Sequence, residues 1–87
     1  MYVILVYDVG VERVNRVRKF LRKYMIWIQN SVFEGELSEA ELTIIKHELR
    51  EIIDPDEDAI VIYKLKNQKN LKREEMGTPK ATIDNII

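Results

Sequence analysis

The sequence predicts a domain of the α+β class with the element order β-α-β-β-α-β. Apolar runs of strand length begin and end the first 65 residues, and two segments between them place apolar residues at helical spacing. A pair of short apolar runs separates the two helical segments. This order is typical of the ferredoxin-like fold, an antiparallel sheet with two helices on one face. A chain of 87 residues has room for one such domain.

The first strand is predicted over residues 1–7, a run of aliphatic residues and tyrosines that ends at Asp8. Asp8-Val9-Gly10 then interrupts the strand. The first helix is predicted over residues 11–24, because apolar residues recur there every three or four positions and form one stripe. The stripe comprises Val11, Val14, Val17, Leu21 and Tyr24.

Two short strands are predicted after this helix, at residues 26–28 and 32–33. The polar Gln29-Asn30-Ser31 between them indicates a tight reversal of the chain. A single kinked strand is the alternative.

The second helix is predicted to begin after Ser38, since a serine followed three positions later by Glu41 is a capping-box pattern. It is predicted to end at Asp54-Pro55. Its apolar face comprises Leu42, Ile45, Leu49 and Ile52. Residues 59–65 form the last predicted strand of the core.

We predict three segments along the chain. Residues 1–66 form the ferredoxin-like core, residues 67–80 a basic linker arm, and residues 81–87 a short C-terminal strand. Because that strand follows a completed unit, it needs the edge of another sheet, and we predict that it pairs across a homodimer. A tail without fixed structure is the alternative.

Composition excludes several classes of function. The chain has no cysteine, so disulfides, thiolate zinc sites and cysteine nucleophiles are excluded, and a reducing, cytoplasmic location is expected. No apolar run approaches the ~20 residues of a membrane span. His47 is the only histidine, and no glycine-rich phosphate loop is present, which argues against a catalytic triad and a P-loop.

Charge is segregated along the chain, although the net charge is −1. Residues 13–23 carry six basic side chains and no acidic one, residues 34–58 carry ten acidic ones, and residues 64–73 carry five basic ones. The basic tracts suit a nucleic-acid backbone, but on charge alone a solvated surface is an equal alternative. The candidates on the first helix are Arg13, Arg16, Arg18, Lys19 and Arg22.

Asp8 is the candidate metal ligand. A carboxylate at the end of a central strand can bind a hard cation such as Mg²⁺ through oxygen. The alternative is that Asp8 ends the strand or caps the next helix, as aspartate commonly does. On these residues alone both interpretations stay open.

Three motifs together resemble the CRISPR-associated protein two family, small dimeric nucleic-acid proteins of CRISPR spacer acquisition. They are Tyr7-Asp8-Val9, Arg16-Val17-Arg18-Lys19-Phe20-Leu21 and Gln29-Asn30-Ser31-Val32-Phe33-Glu34-Gly35. The resemblance covers nearly the whole chain. The sequence departs from the family at Met25, where glycine is common, and at Trp27, where arginine is common.

The resemblance implies a homodimer in which one Mg²⁺ is shared by the Asp8 residues of two protomers, with Tyr7 shaping the catalytic site. It implies cleavage of phosphodiester bonds of RNA or DNA and contact with the CRISPR integrase, protein one of the system. Because Trp27 occupies the position where arginine is common in the family, one candidate phosphate contact is missing. A non-catalytic dimeric scaffold that holds duplex DNA and bridges integrase subunits is the second hypothesis.

Overall fold

The structure, a computed structural model, describes residues 1–78. The elements are β1 (Tyr2–Asp8), α1 (Val11–Leu21), β2 (Ile26–Gln29), β3 (Val32–Glu36), α2 (Glu39–Ile52), β4 (Ala59–Leu65) and a short 3₁₀-helix (Gln68–Asn70). The sheet has the order β2-β3-β1-β4, and each neighbouring pair is antiparallel. The predicted α+β, ferredoxin-like fold is therefore confirmed.

Part of the predicted C-terminal region lies outside the described residues. This applies to the predicted strand at 81–87 and to the last two residues of the predicted arm. The division into core, arm and C-terminal strand stays a prediction. No helix within residues 1–78 has the length and hydropathy needed to cross a membrane.

Alternation along β1 gives the sheet two different faces. Val3, Leu5 and Tyr7 are buried with residues of α1 and α2 in the hydrophobic core. The intervening residues of β1 point to the other side, which we call the open face. It carries Ile4, Val6 and Asp8 of β1, Val32 and Glu34 of β3, and Val61 and Tyr63 of β4.

Helix α1 is shorter than predicted, because it ends at Leu21 and not at Tyr24. The backbone N–H groups of Lys23 and Tyr24 donate to the carbonyls of Phe20 and Leu21, three residues back. Such tighter bonds satisfy carbonyls at a helix end. Tyr24 packs against Phe20, with ring centroids 5.6 Å apart. The predicted apolar stripe is confirmed at Val17 and Leu21, which are buried, and is wrong at Val11, which is 84% exposed in the first turn.

Residues 26–36 form a hairpin, which confirms the predicted reversal and excludes the single kinked strand. Asn30 occupies the left-handed region with φ of 40°, a conformation that asparagine tolerates better than most residues. The Trp27 indole N–H donates to the Asn30 carbonyl at 3.0 Å. This bond fixes the turn, in a position where the resemblance would place an arginine.

Helix α2 begins as the sequence predicts. Ser38 accepts a hydrogen bond from the Glu41 backbone N–H at 3.0 Å, and the Glu41 carboxylate accepts one from the Ser38 N–H at 2.9 Å. This reciprocal pair is a complete capping box. The predicted apolar face of α2 is buried, and His47 is exposed on the opposite side of the helix.

Asp58 joins the two loops at one end of the sheet. Its buried carboxylate accepts hydrogen bonds from the backbone N–H groups of Gly10 and Asp54, both at 2.8 Å. The Arg13 guanidinium donates to the same carboxylate at 2.6 Å and holds the pKa of Asp58 well below its usual range. The loop that follows Asp8 is thereby fixed to the loop that precedes β4.

We expect Asp58→Asn to lower the urea midpoint of unfolding at neutral pH. In asparagine an NH₂ group replaces one of the two carboxylate oxygens. The two N–H donors that bonded to that oxygen would then lose their acceptor. The folded pKa of Asp58 lies below its unfolded value near ~3.9, so its contribution is complete above that pH and is lost as the pH falls further. The difference between variant and parent should therefore shrink below about pH 4.

Glu57→Gln is the matched control for this comparison. Glu57 also pairs with Arg13, at 2.9 Å, but its side chain is 64% exposed. Exposed ion pairs contribute little to stability, so this variant should unfold close to the parent. Equal losses in the two variants, or a loss at Asp58 that does not change with pH, would contradict the role given to Asp58.

Candidate metal and nucleic-acid site

Asp8 is the last residue of β1 and lies opposite Ala59 of β4. Its side chain is exposed and is on the open face, since the preceding Tyr7 points into the core. Gly10 is the N-cap of α1, and no side chain makes a capping hydrogen bond there. The alternative that Asp8 caps the helix is therefore wrong. Asp58 holds this loop, and the Asp8 carboxylate has no hydrogen bond or ion pair within residues 1–78.

Tyr7 lies behind Asp8, on the helix side of the sheet. Its side chain is 2% exposed, and its hydroxyl donates to the Asn30 carbonyl at 3.3 Å and accepts from Arg18 Nε at 3.2 Å. The Tyr7 backbone N–H also donates to the Ser31 carbonyl at 3.0 Å. Tyr7 thus attaches the β2–β3 turn and α1 to the end of β1. In this chain its hydroxyl does not share a face of the sheet with Asp8.

The five predicted nucleic-acid residues of α1 fall into two groups. Arg13 is surrounded by three carboxylates, those of Glu12, Glu57 and Asp58, at 2.6 to 2.9 Å. The hydrogen bond to Asp58 raises the pKa of Arg13 further above its already high usual value. Arg18 is half-buried and bonded to Tyr7. Nucleic-acid binding by these two residues stays a prediction.

Arg16, Lys19 and Arg22 form the second group. They are exposed on α1, and no ion pair engages them in the part of the chain that the structure describes. Because α1 packs on the helix side of the sheet, these cations and the Asp8 carboxylate lie on opposite sides of one protomer. The structure does not bring the predicted metal ligand and the predicted phosphate contacts of one chain together.

Among residues 1–78, no three or more histidine, cysteine, aspartate or glutamate side chains are grouped closely enough to hold an ion. Asp8 therefore belongs to no such group in the described part of the chain. A metal site that uses Asp8 needs ligands from a second molecule, from the nucleic acid or from water.

Glu34 is a further ionisable residue of the open face, and no sequence pattern indicates its role beyond its place in a motif. It is 3% exposed and accepts a hydrogen bond from the Tyr2 hydroxyl at 2.8 Å, and Arg73 pairs with its second oxygen. Burial and the bond to Glu34 raise the pKa of Tyr2 to about 12. Arg73 thus brings the chain after β4 back over the Tyr2 end of the open face, while Asp8 at the other end of β1 stays exposed.

The fold, with an exposed aspartate at the end of its central strand and a cationic helix, defines a small α+β protein of the ferredoxin-like class. Residues 1–73 match the family described as CRISPR associated protein Cas2. The chain belongs to this family, as its motifs predicted.

Relatives and solved structures support the same assignment. The chain is 59% identical over its whole length to proteins named CRISPR-associated endoribonuclease Cas2 from Methanosarcina acetivorans and Thermococcus kodakarensis, each covered completely. A crystal structure of Cas2 superposes with a TM-score of 0.86 at 48% identity, covering 100% of this chain and 98% of the other. Cas2 of Streptococcus pyogenes gives 0.79 at 37% identity, covering 88% and 100%. These names agree with the prediction of a CRISPR-associated nuclease.

We expect Tyr7→Phe to lower the free energy of unfolding by about 1 kcal/mol, because it removes the hydroxyl that links Arg18 to the Asn30 carbonyl. Tyr24→Phe is the control, since Tyr24 lies on the helix side against Phe20 and no hydrogen bond engages its hydroxyl within residues 1–78; it should stay within about 0.5 kcal/mol of the parent. Urea unfolding at one fixed protein concentration measures both. Equal stabilities of the two variants would show that the Tyr7 hydroxyl does not hold the turn.

Proposed function

We propose that this protein is a homodimeric, metal-dependent endoribonuclease that acts in CRISPR spacer acquisition, with Asp8 as the metal ligand. The observation that carries the proposal is the division of roles between two aspartates. Asp58 makes the structural contacts of the β1–α1 loop, and Asp8, at the end of the same strand, is left exposed without a protein partner in residues 1–78. The names of the relatives favour an enzyme over a non-catalytic scaffold, and RNA over DNA.

Mg²⁺ fits the chemistry of this position. It binds proteins through one or two carboxylates and takes its other ligands from water and phosphate oxygens. The Asp8 residues of two protomers would hold one ion between them. When bound, such an ion polarises the scissile phosphate and makes a water molecule more acidic.

The open face supports the proposal of a homodimer. It exposes large apolar side chains, with Ile26 68%, Tyr63 56% and Val61 47% exposed. Contact between two copies of this face would bury these side chains and would place two Asp8 carboxylates on one shared surface, because a two-fold interface uses the same patch twice. We also propose that residues 81–87 pair with the partner's sheet.

The remaining residues have distinct proposed roles. Tyr7 is a positioning residue, since it fixes the turn and helix behind Asp8. Arg16, Lys19 and Arg22 contact phosphates along the RNA backbone. We further propose that the dimer contacts the CRISPR integrase, protein one of the system; this rests on the family resemblance.

We expect Asp8→Asn to abolish Mg²⁺-dependent cleavage of single-stranded RNA while the folded dimer persists. The amide keeps the size of the side chain but removes the charge that a hard cation requires. Cleavage of a labelled RNA by purified protein, with and without EDTA, measures the activity, and sedimentation measures the dimer.

Asp56→Asn is the matched control, because it makes the same change at an exposed residue of the α2–β4 loop. It should cleave as the parent does. An Asp8→Asn protein that keeps the parent's Mg²⁺-dependent rate would exclude Asp8 as the ligand.

We expect Arg16→Gln combined with Lys19→Gln to weaken RNA binding in EDTA for all sequences alike. Each lost phosphate contact on a single strand should reduce the slope of log affinity against log salt by about 0.7. Lys46→Gln combined with Arg50→Gln removes two charges from α2 and should leave the slope unchanged. Fluorescence anisotropy at several salt concentrations gives both slopes, and an unchanged slope in the α1 variant would assign its cations to solvated surface.

A further inference from the structure

A groove runs between α1 and α2 on the helix side of the molecule. Its volume is about 280 Å³, near the lower end of the range for small-molecule sites. One wall carries three cations, two on α1 and one in the turn after it, and the rest is apolar except for one carboxylate. The lining residues are Arg16, Lys19, Phe20, Lys23, Glu48 and Ile52.

We propose that this groove binds one unpaired nucleotide of a single-stranded RNA, with its phosphate at these three cations and its base against Phe20. The proposal rests on the proposed function in taking RNA as the substrate. It adds a binding site for the substrate outside the Asp8 region.

The charges of the groove favour this orientation. Arg16 and Lys19 are three positions apart on one side of α1, and Lys23 follows in the turn after its last residue. All three line the groove. Within residues 1–78 none of them forms an ion pair, and the Glu48 carboxylate is not within ion-pair distance of them. The electrostatic attraction for an anionic group is strongest at the wall that carries these cations. The same group is repelled from the α2 wall, where Glu48 lies.

The aromatic wall favours a base as the second part of the ligand. Phe20 is half-buried, and its ring packs against Tyr24 with an interplanar angle of 56°. Its position is therefore fixed from one side while the ring still lines the groove. Bases stack on such side chains largely without regard to sequence. In a duplex the bases are already stacked and paired, so an unpaired nucleotide enters at lower cost.

The groove is separate from the proposed metal site. Asp8 is on the open face of the sheet, whereas the groove lies in the helix layer on the other side. It therefore serves as an anchoring site for a strand and contains no catalytic residue. RNA held there would extend beyond the surface of one protomer before reaching an Asp8 carboxylate.

The test measures binding of a short fluorescein-labelled RNA, single-stranded or annealed to its complement, in EDTA so that no cleavage occurs. Lys23→Gln and Phe20→Leu should each weaken single-strand binding about fivefold or more and should affect the duplex less. Lys23→Gln should reduce the salt slope by about 0.7, and Phe20→Leu should leave it unchanged. The control, Lys46→Gln, changes a lysine on the other side of α2 and should bind as the parent does.

Ultraviolet crosslinking of the single-stranded RNA gives a direct second measurement. A nucleotide adduct on the peptide that contains Phe20 is expected. Since Lys23 is exposed, Lys23→Gln should fold normally even if Phe20→Leu does not. The proposal is overturned if Lys23→Gln binds single strands as the parent does, if single strand and duplex weaken equally, or if no adduct forms near Phe20. Loss of cleavage in Asp8→Asn with any of these outcomes would leave the proposed function intact.

Discussion

The buried Asp58 carboxylate is the contact on which the arrangement of the site depends. It accepts hydrogen bonds from Gly10, Asp54 and Arg13 and so joins the loop after β1 to the loop before β4. A charge buried in this way is stable only when its donors are all in place. Because Asp58 satisfies the loop after β1, Asp8 is not needed for capping. The fold can therefore keep an exposed carboxylate at the end of its central strand.

The two faces of the sheet separate residues with different roles that are adjacent in the sequence. Tyr7 and Asp8 are neighbours in the chain, but strand geometry directs one into the helix layer and the other to the open face. Tyr7, Arg18 and the β2–β3 turn form a support behind the strand. The cations of α1 lie on that same side. A site that combines the Asp8 carboxylate with contacts to the phosphates of a nucleic acid therefore extends over more than one face of the protein. A dimer that binds a long stretch of nucleic acid would allow this.

Most of the fold could be predicted because its signals are local. Apolar spacing, the Ser38 capping box and the polar Gln29-Asn30-Ser31 turn act within a few residues, and the structure shows each of them. The role of Asp58 could not be predicted, since its partners Gly10 and Arg13 are distant in the sequence and its acidic neighbours resemble solvated surface. For the same reason, charge alone did not distinguish Arg13, which pairs with carboxylates, from Arg16 on the same helix. Glu34 and Arg73 likewise meet only through the tertiary fold.

The proposed metal site holds one ion between the Asp8 residues of two protomers. Isothermal titration calorimetry with Mn²⁺ measures this stoichiometry without a substrate. One ion for every two chains is expected, and that binding should be lost in Asp8→Asn. One ion for each chain, or unchanged binding in the variant, would contradict the proposed site.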